Sequence, residues 1–232
     1  MATTTAVTLY TSTTNASSYT TASFTPAAND LLVVMAIATA SFLQSPTLTE
    51  SQGETTFTLV YDGVDNISLK TGDRMYLFVA NSLLASATAR TLNFDCTGDA
   101  ASGCILATYR VSGMSKTGAA AIRQKTFTHW TDTSTITTTF ASTCLTGNPT
   151  ITYWGDSTST TPNKTAPTNW TRNHNGGYSN PSTGCCSCTR DSGFTGDTIT
   201  WGSAGAIDSS VISIELDAGA ASAPLSFGFV IG

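Results

Sequence analysis

Three glutamates, two histidines and six cysteines are the residues of this chain best equipped for chemistry, and their spacing decides which kind. Glycoside hydrolysis needs two carboxylates facing one cleft. Glu50 and Glu54 flank a polar segment that reads as a loop, and Glu215 falls on the outward side of a strand pattern. Solvated surface carboxylates account for all three. The aspartates concentrate at turns, where Asx-type bonding explains them. The Asp95–Asp99 and Asp62–Asn66 clusters lack the D-x-[DN]-x-[DN]-G spacing of a calcium loop. Nucleophilic catalysis needs a base beside Ser or Cys. His129, in FTHW, reads as a surface residue at a strand end, and no G-x-S-x-G elbow accompanies it or His174. The expectation is a protein without catalytic residues, metal or cofactor, and not an enzyme.

The cysteines are Cys96, Cys104, Cys144, Cys185, Cys186 and Cys188. Cys96 and Cys104 bracket a short acidic loop, DCTGDAASGC, and could close it. The Cys185-Cys186-Ser187-Cys188 run has only half of the paired C-x2-C spacing of a zinc site. Loop disulfides or free thiols fit the spacings better, and sequence does not choose among the pairings.

Trp154, Trp170, Tyr178 and Trp201 lie in or beside a long polar stretch, Asp156–Gly196. Aromatic faces near Asn and Asp suit sugar rings, so these four are candidate ligand contacts. The alternative is that they anchor core and loops. Four N-x-[ST] sequons, at Asn15, Asn66, Asn163 and Asn169, arise by chance in so Thr-rich a chain.

Composition narrows the classes further. Charged residues make up 11% of 232, against about 25% in ordinary soluble proteins. Thr and Ser take over solvation, and Thr favours strands. The net charge is −5 and the basic residues are scattered, which argues against nucleic acid as a partner. The beginning of the chain carries no basic and apolar leader pattern, and no run of about 18 apolar residues exists. Synthesis in a cytosol without membrane insertion is expected.

The elements that must position these residues read as strands. Ser18–Thr39 reads as two strands around a turn, with Leu31–Ile37 an unbroken apolar run suited to burial on both faces. Thr55–Tyr61 places Phe57, Leu59 and Tyr61 on one face. Arg74–Ala80 and Gly103–Gly113 are densely apolar, and Arg90–Cys96 alternates. Ala119–Thr128 reads as strand, since glycines precede it and no cap does. Asp156–Gly196 reads as a long irregular insertion. Beyond a small-residue linker from Asp217 to Pro224, the tail Leu225, Phe227, Phe229, Val230 and Ile231 is apolar. Such a tail either adds as a strand to a neighbour or forms an edge of its own sheet. The whole predicts an all-β fold: one β-sandwich or jelly roll of about ten antiparallel strands over 1–217, then the tail.

The series SYTTASFTPAANDLLVV, ETTFTLVYDG, RMYLFVA, GCILATYRVSGMS and SSVISIEL resembles β-sandwich structural proteins of tailed bacteriophages, of the capsid decoration (cement) or fibre and tail type. The resemblance spans about 18–216 and rests on core strands. It implies a non-enzymatic virion protein bound to capsid subunits, oligomeric and by analogy trimeric. A fibre or tail module binding a host surface glycan is the alternative. It transfers no site residue.

Overall fold

The computed structural model describes residues 1–40, 45–61, 72–156, 160, 164–180 and 182–219. Among them run thirteen strands: β1 (Thr3–Ser12), β2 (Ser18–Thr20), β3 (Leu31–Thr39), β4 (Thr47–Glu50), β5 (Phe57–Tyr61), β6 (Asp73–Ala80), β7 (Leu92–Asp95), β8 (Cys104–Ser112), β9 (Ile122–Thr139), β10 (Thr150–Asp156), β11 (Thr171–Tyr178), β12 (Thr183–Arg190) and β13 (Thr198–Leu216). All pairings are antiparallel. An inner sheet has the order β1-β8-β3-β6-β5, an outer sheet β11-β12-β10-β13-β9, and a small cap sheet β2-β7-β4. The expected all-β class is therefore observed, with more strands and one more sheet than a ten-strand sandwich needs.

The inner sheet lies between the other two. β3 is buried along its whole length, because alternate side chains leave a strand on opposite faces and both faces are covered. Tyr76 and Phe78 of β6 meet Phe94 of the cap sheet, with ring centroids 5.9 and 6.0 Å apart. On the other face Tyr109 of β8 reaches Ser187 of β12 in the outer sheet. Each fully buried Leu, Ile, Val or Met is worth roughly 1.5–3 kcal/mol, so β3 with its partners β6 and β8 dominates the stability of this sandwich.

Ser18–Thr39 is not a hairpin. β2 pairs with β7 in the cap sheet, whereas β3 pairs with β6 and β8 in the inner sheet. The turn at Thr25–Asp30 carries the chain from one layer to the next, and Asn29 takes a positive φ of 65° within it. A second correction concerns β5. An irregularity between Leu59 and Tyr61 shifts the register, so Phe57 and Leu59 face the cap side while Tyr61 turns to the outer sheet and stacks on Phe127 at 5.3 Å. A bulge inserts one residue and reverses the side-chain alternation beyond it.

The third correction is the largest. Asp156–Gly196 contains the hairpin β11–β12, and β12 is a buried strand of the outer sheet. Its residues are small and polar, so it lacks the apolar alternation that marks strands in sequence. The preference for strand over helix after Ala119 holds from Ile122, preceded by a short 3-10 turn at Gly118–Ala121.

β9 and β13 form one long two-stranded ribbon. Its first part, around Lys125–Thr128 and Val211–Ile214, belongs to the outer sheet. Past a register irregularity between Gly202 and Ile207, the Thr135–Thr139 and Thr198–Gly202 end folds back over that sheet. Trp201 there donates its indole N–H to Thr152 Oγ1 of β10 at 2.9 Å, and Thr138 Oγ1 lies 3.1 Å from Ser213 Oγ. The chain is thus partitioned by sequence. The inner and cap sheets use only residues from 3 to 112, and the outer sheet only residues from 122 to 216.

Candidate functional site

The two neighbouring glutamates do face each other, with an arginine between them. β4 ends at Glu50, whose carboxylate accepts N–H groups from Gln52 at 2.8 Å, Thr55 at 3.3 Å and Glu54. Arg90, 1% exposed, spans the pair: Nη1 lies 3.3 Å from Glu50 and Nη2 3.2 Å from Glu54. Its Nε and Nη2 also donate to the Thr88 and Ser86 carbonyls. Hydrogen bonding from the Ser86 hydroxyl, then Arg90, holds the Glu54 carboxyl below its usual range. The guanidinium fills the space a glycosidic bond would need. Instead of solvated surface acids, these are internal ties that fix the loop after β4 against the segment before β7.

Glu215 is also interior. It faces a second apolar core, built around Trp154, Trp201, Cys186 and Val211, and four donors converge on it: the Leu145 N–H at 2.8 Å, Asn148 at 2.8 Å, Gln124 at 2.6 Å and Arg123. Burial pushes its carboxyl up, but these hydrogen bonds outweigh burial and hold it below the ordinary value. The strand pattern placed Glu215 correctly opposite Ile212, Ile214 and Leu216. What it missed is that the opposite face is covered too.

Two polar groups bridge the inner and outer sheets. In the first, Ser187 of β12 lies 2.9 Å from His174 Nδ1 and also meets the Tyr109 hydroxyl. Burial drives the His174 pKa down to about 4, against an opposing hydrogen bond that the imidazole donates to the Thr8 backbone carbonyl. A serine beside a histidine is the chemistry of a nucleophile, but Ser187 is fully buried and no substrate reaches it. In the second, Asp73 of β6 accepts Thr183 Oγ1 at 2.7 Å and the Thr39 hydroxyl, which in turn meets Tyr178. Burial raises the Asp73 carboxyl to about 6 despite these donors, and Asp156 adds to the rise. His129 lies 3.0 Å from Ser210 Oγ, half-buried on β9.

The candidate aromatics are interior. Trp154 and Trp201 are fully buried and meet edge-to-face at 5.8 Å. Trp170 packs on Phe194 at 5.3 Å, and Tyr178 is held in the Asp73 group. They do not share one exposed surface, and neither Trp154 nor Trp201 presents a ring face to solvent. Tyr178 borders a polar recess of about 350 Å³ with Thr11, Ser12, Thr13, Thr160, Gly177 and Ser179.

All six cysteines are free and buried, so Cys96 and Cys104 do not close their loop. Alternation along β12 sends Cys185 into the main core and Cys186 and Cys188 into the second core with Trp154 and Trp201. Burial raises every thiol, to about 11 for Cys96 and Cys186 and about 12 for Cys144 and Cys185. They are small apolar fillers, far from thiolate chemistry. Among the described residues no group of three or more His, Cys, Asp or Glu is placed to hold a metal ion.

One apolar groove opens on the surface. Among the described residues the cap sheet is three strands wide and stops at β4. Beyond β4 no described strand covers the cap-side face of β5, and a groove of about 580 Å³ runs between them, lined by Leu48, Phe57, Leu59 and Phe78. Thr56 and Glu50 stand at one end, Ser45 and Pro46 at the other. No sequence signal pointed here, since the groove exists only because two sheets of unequal width are stacked. The tail residues Leu225, Phe227, Phe229, Val230 and Ile231 lie outside the described residues, as do Asn66 and Asn163.

Compared with protein-family models, curated proteins and solved structures, the chain matches none.

Proposed function

We propose that the chain is a non-enzymatic structural protein of a tailed-bacteriophage particle, a decoration or cement protein that stabilises the capsid by binding its subunits. The observation that carries this reading is how the reactive side chains are used. Glu50, Glu54, Arg90, Asp73, His174, Ser187 and Glu215 all tie one element to another. Such interior ties suit a stiff body that presents a hydroxyl-rich surface. The resemblance of the core strands to phage sandwich proteins supports the same role, with a jelly-roll-like sandwich as the fold, a homo-oligomer (a trimer by analogy) as the working unit, and the virion as its location.

The test is copy number. Purified particles from the phage whose genome encodes this chain are analysed by quantitative mass spectrometry. The reading expects a fixed stoichiometric ratio to the major capsid protein. Recovery only in the soluble fraction of the lysate overturns it.

The hydroxyl-lined recess beside Tyr178 favours a second reading, a glycan-binding fibre or tail module. Hydroxyls of Thr11, Ser12, Thr13, Thr160, Tyr178 and Ser179 line it, and such groups exchange hydrogen bonds with a sugar's own hydroxyls. A glycan array with the purified chain, repeated with Thr13→Arg to fill the recess, tests it. Absence of any signal, or signal unchanged by the substitution, rejects the second reading.

A further inference from the structure

The groove beside β4 has the form of a missing strand. The cap sheet ends at β4 with a free edge among the described residues, while the inner sheet continues one strand further to β5. Phe57 and Leu59 are left half-exposed there. An apolar floor under an open strand edge fits a strand with one apolar face.

Outside the described residues, 225–231 carries the longest such alternation in the sequence. Leu225-Ser-Phe-Gly-Phe-Val-Ile231 puts Leu225, Phe227, Phe229 and Ile231 at alternate positions, and therefore on one face of a strand. Ser226 and Gly228 fall on the other.

Where the chain leaves the fold decides whose tail fits. Ala218 O accepts the Ser115 N–H at 3.2 Å and the Ser115 hydroxyl at 2.9 Å. Three residues on, Gly118 abuts Asn81: a Cβ built there would lie 2.6 Å from Asn81 Oδ1. Asn81 N–H donates to Thr56 O at 2.8 Å, and Thr56 lines the groove. A continuous set of contacts thus leads from the exit point to the Thr56–Glu50 end of the groove. Residues 220–224 add about 16–18 Å of extended reach from that exit point. Entering at the Thr56–Glu50 end, the segment runs toward Pro46, opposite in direction to β4, which runs from Thr47 to Glu50.

We propose that residues 225–231 dock in cis as a fourth, antiparallel strand of the cap sheet, beside β4 and with their apolar face on Phe57, Leu59 and Phe78. The assignment does not depend on the particle role proposed above.

Two measurements test it. In hydrogen exchange on the full chain, the Thr47–Glu50 amides are expected to exchange at least about tenfold more slowly than in a chain ending at Gly219 or in Phe227→Asp/Phe229→Asp. Amides of β3 report that each variant is folded. Equal exchange at β4 in all three overturns the proposal. Second, Thr49→Cys is paired in turn with Ser226→Cys, Gly228→Cys and Val230→Cys, all on the outward face of the sheet, and oxidised. An intrachain disulfide in at least one pair, running as a monomer without reductant, is expected. Disulfides only between chains overturn it in favour of a second copy's tail, and no disulfide in any pair overturns it outright.

Discussion

Thr183 of β12 donates a 2.7 Å hydrogen bond to Asp73 of β6, joining the outer and inner sheets through a carboxyl that is 2% exposed. His174 sits at the same interface, buried and with its pKa lowered to about 4. The two groups push the pH dependence of stability in opposite directions. The Asp73 carboxyl is raised to about 6 when folded, so its contribution is full below about pH 4 and is lost as pH rises through 6. The His174 contribution is present above about pH 6.5 and is lost as pH falls toward 4. Across pH 4–6 they offset each other, and each shift corresponds to about 3 kcal/mol.

Single substitutions therefore unmask the partner. Asp73→Asn should leave a chain that destabilises steeply on acidification from pH 6.5 to 4. His174→Gln should become relatively more stable over the same interval. Urea melts at half-unit pH steps measure both slopes, and parallel profiles for both variants and the parent would refute the pairing.

Arg90→Met removes the cation between Glu50 and Glu54 while keeping most of the side-chain volume. Glu50 then stays buried with only backbone donors. Breaking a buried ion pair this way costs about 3–5 kcal/mol. Chemical denaturation should show that loss. The triple replacement Arg90→Met/Glu50→Leu/Glu54→Gln should recover a good part of it, because no charge is then left without a partner.

Trp201→Ala should destabilise by about 3–5 kcal/mol, the range for emptying a large aromatic from a core. Trp201→Phe should cost less, but more than its volume alone implies, since Thr152 loses its indole donor. Tryptophan fluorescence during unfolding gives both values, and a Trp201→Ala loss below about 1 kcal/mol would mean that the folded-back ribbon end is not packed on the outer sheet.

None of the six thiols should react with a thiol reagent such as Ellman's in the native chain over minutes, and all six should react after unfolding in guanidinium. Fewer than six in the unfolded, unreduced chain would show that a disulfide forms after all.

The apolar strands were legible because their composition alone forces burial. β3, β6 and β8 stand where the hydrophobic runs put them. The cap sheet was half legible: Leu92 and Phe94 alternate as expected, but β2 and β4 are three and four residues long, too short for periodicity to register. β12 was hidden for the opposite reason. Thr, Gly, Ser and Cys make a well-packed strand between two cores yet read locally as loop. The ion ties were missed because Arg90 lies 40 residues from Glu50, and only tertiary pairing turns a surface-like glutamate into an interior one. Tyr61 was misplaced by a single inserted residue.

The division of the sheets between the two parts of the sequence also sets a timetable for synthesis. Residues up to Ser112 can assemble the inner and cap sheets as they leave the ribosome. The inner sheet's other face, with Met35, Leu77, Ile105 and Tyr109, has no cover until β10 and β12 have found β13. β13 finishes at Leu216, about a hundred residues after Ser112, and non-local strand pairing of this kind is slow. For the time needed to translate about a hundred residues, at roughly 5–20 per second, the nascent chain therefore exposes a wide apolar sheet. Its vulnerable moment precedes the folded state, and expression yield should respond to translation speed and chaperone supply more than to any substitution on the finished surface.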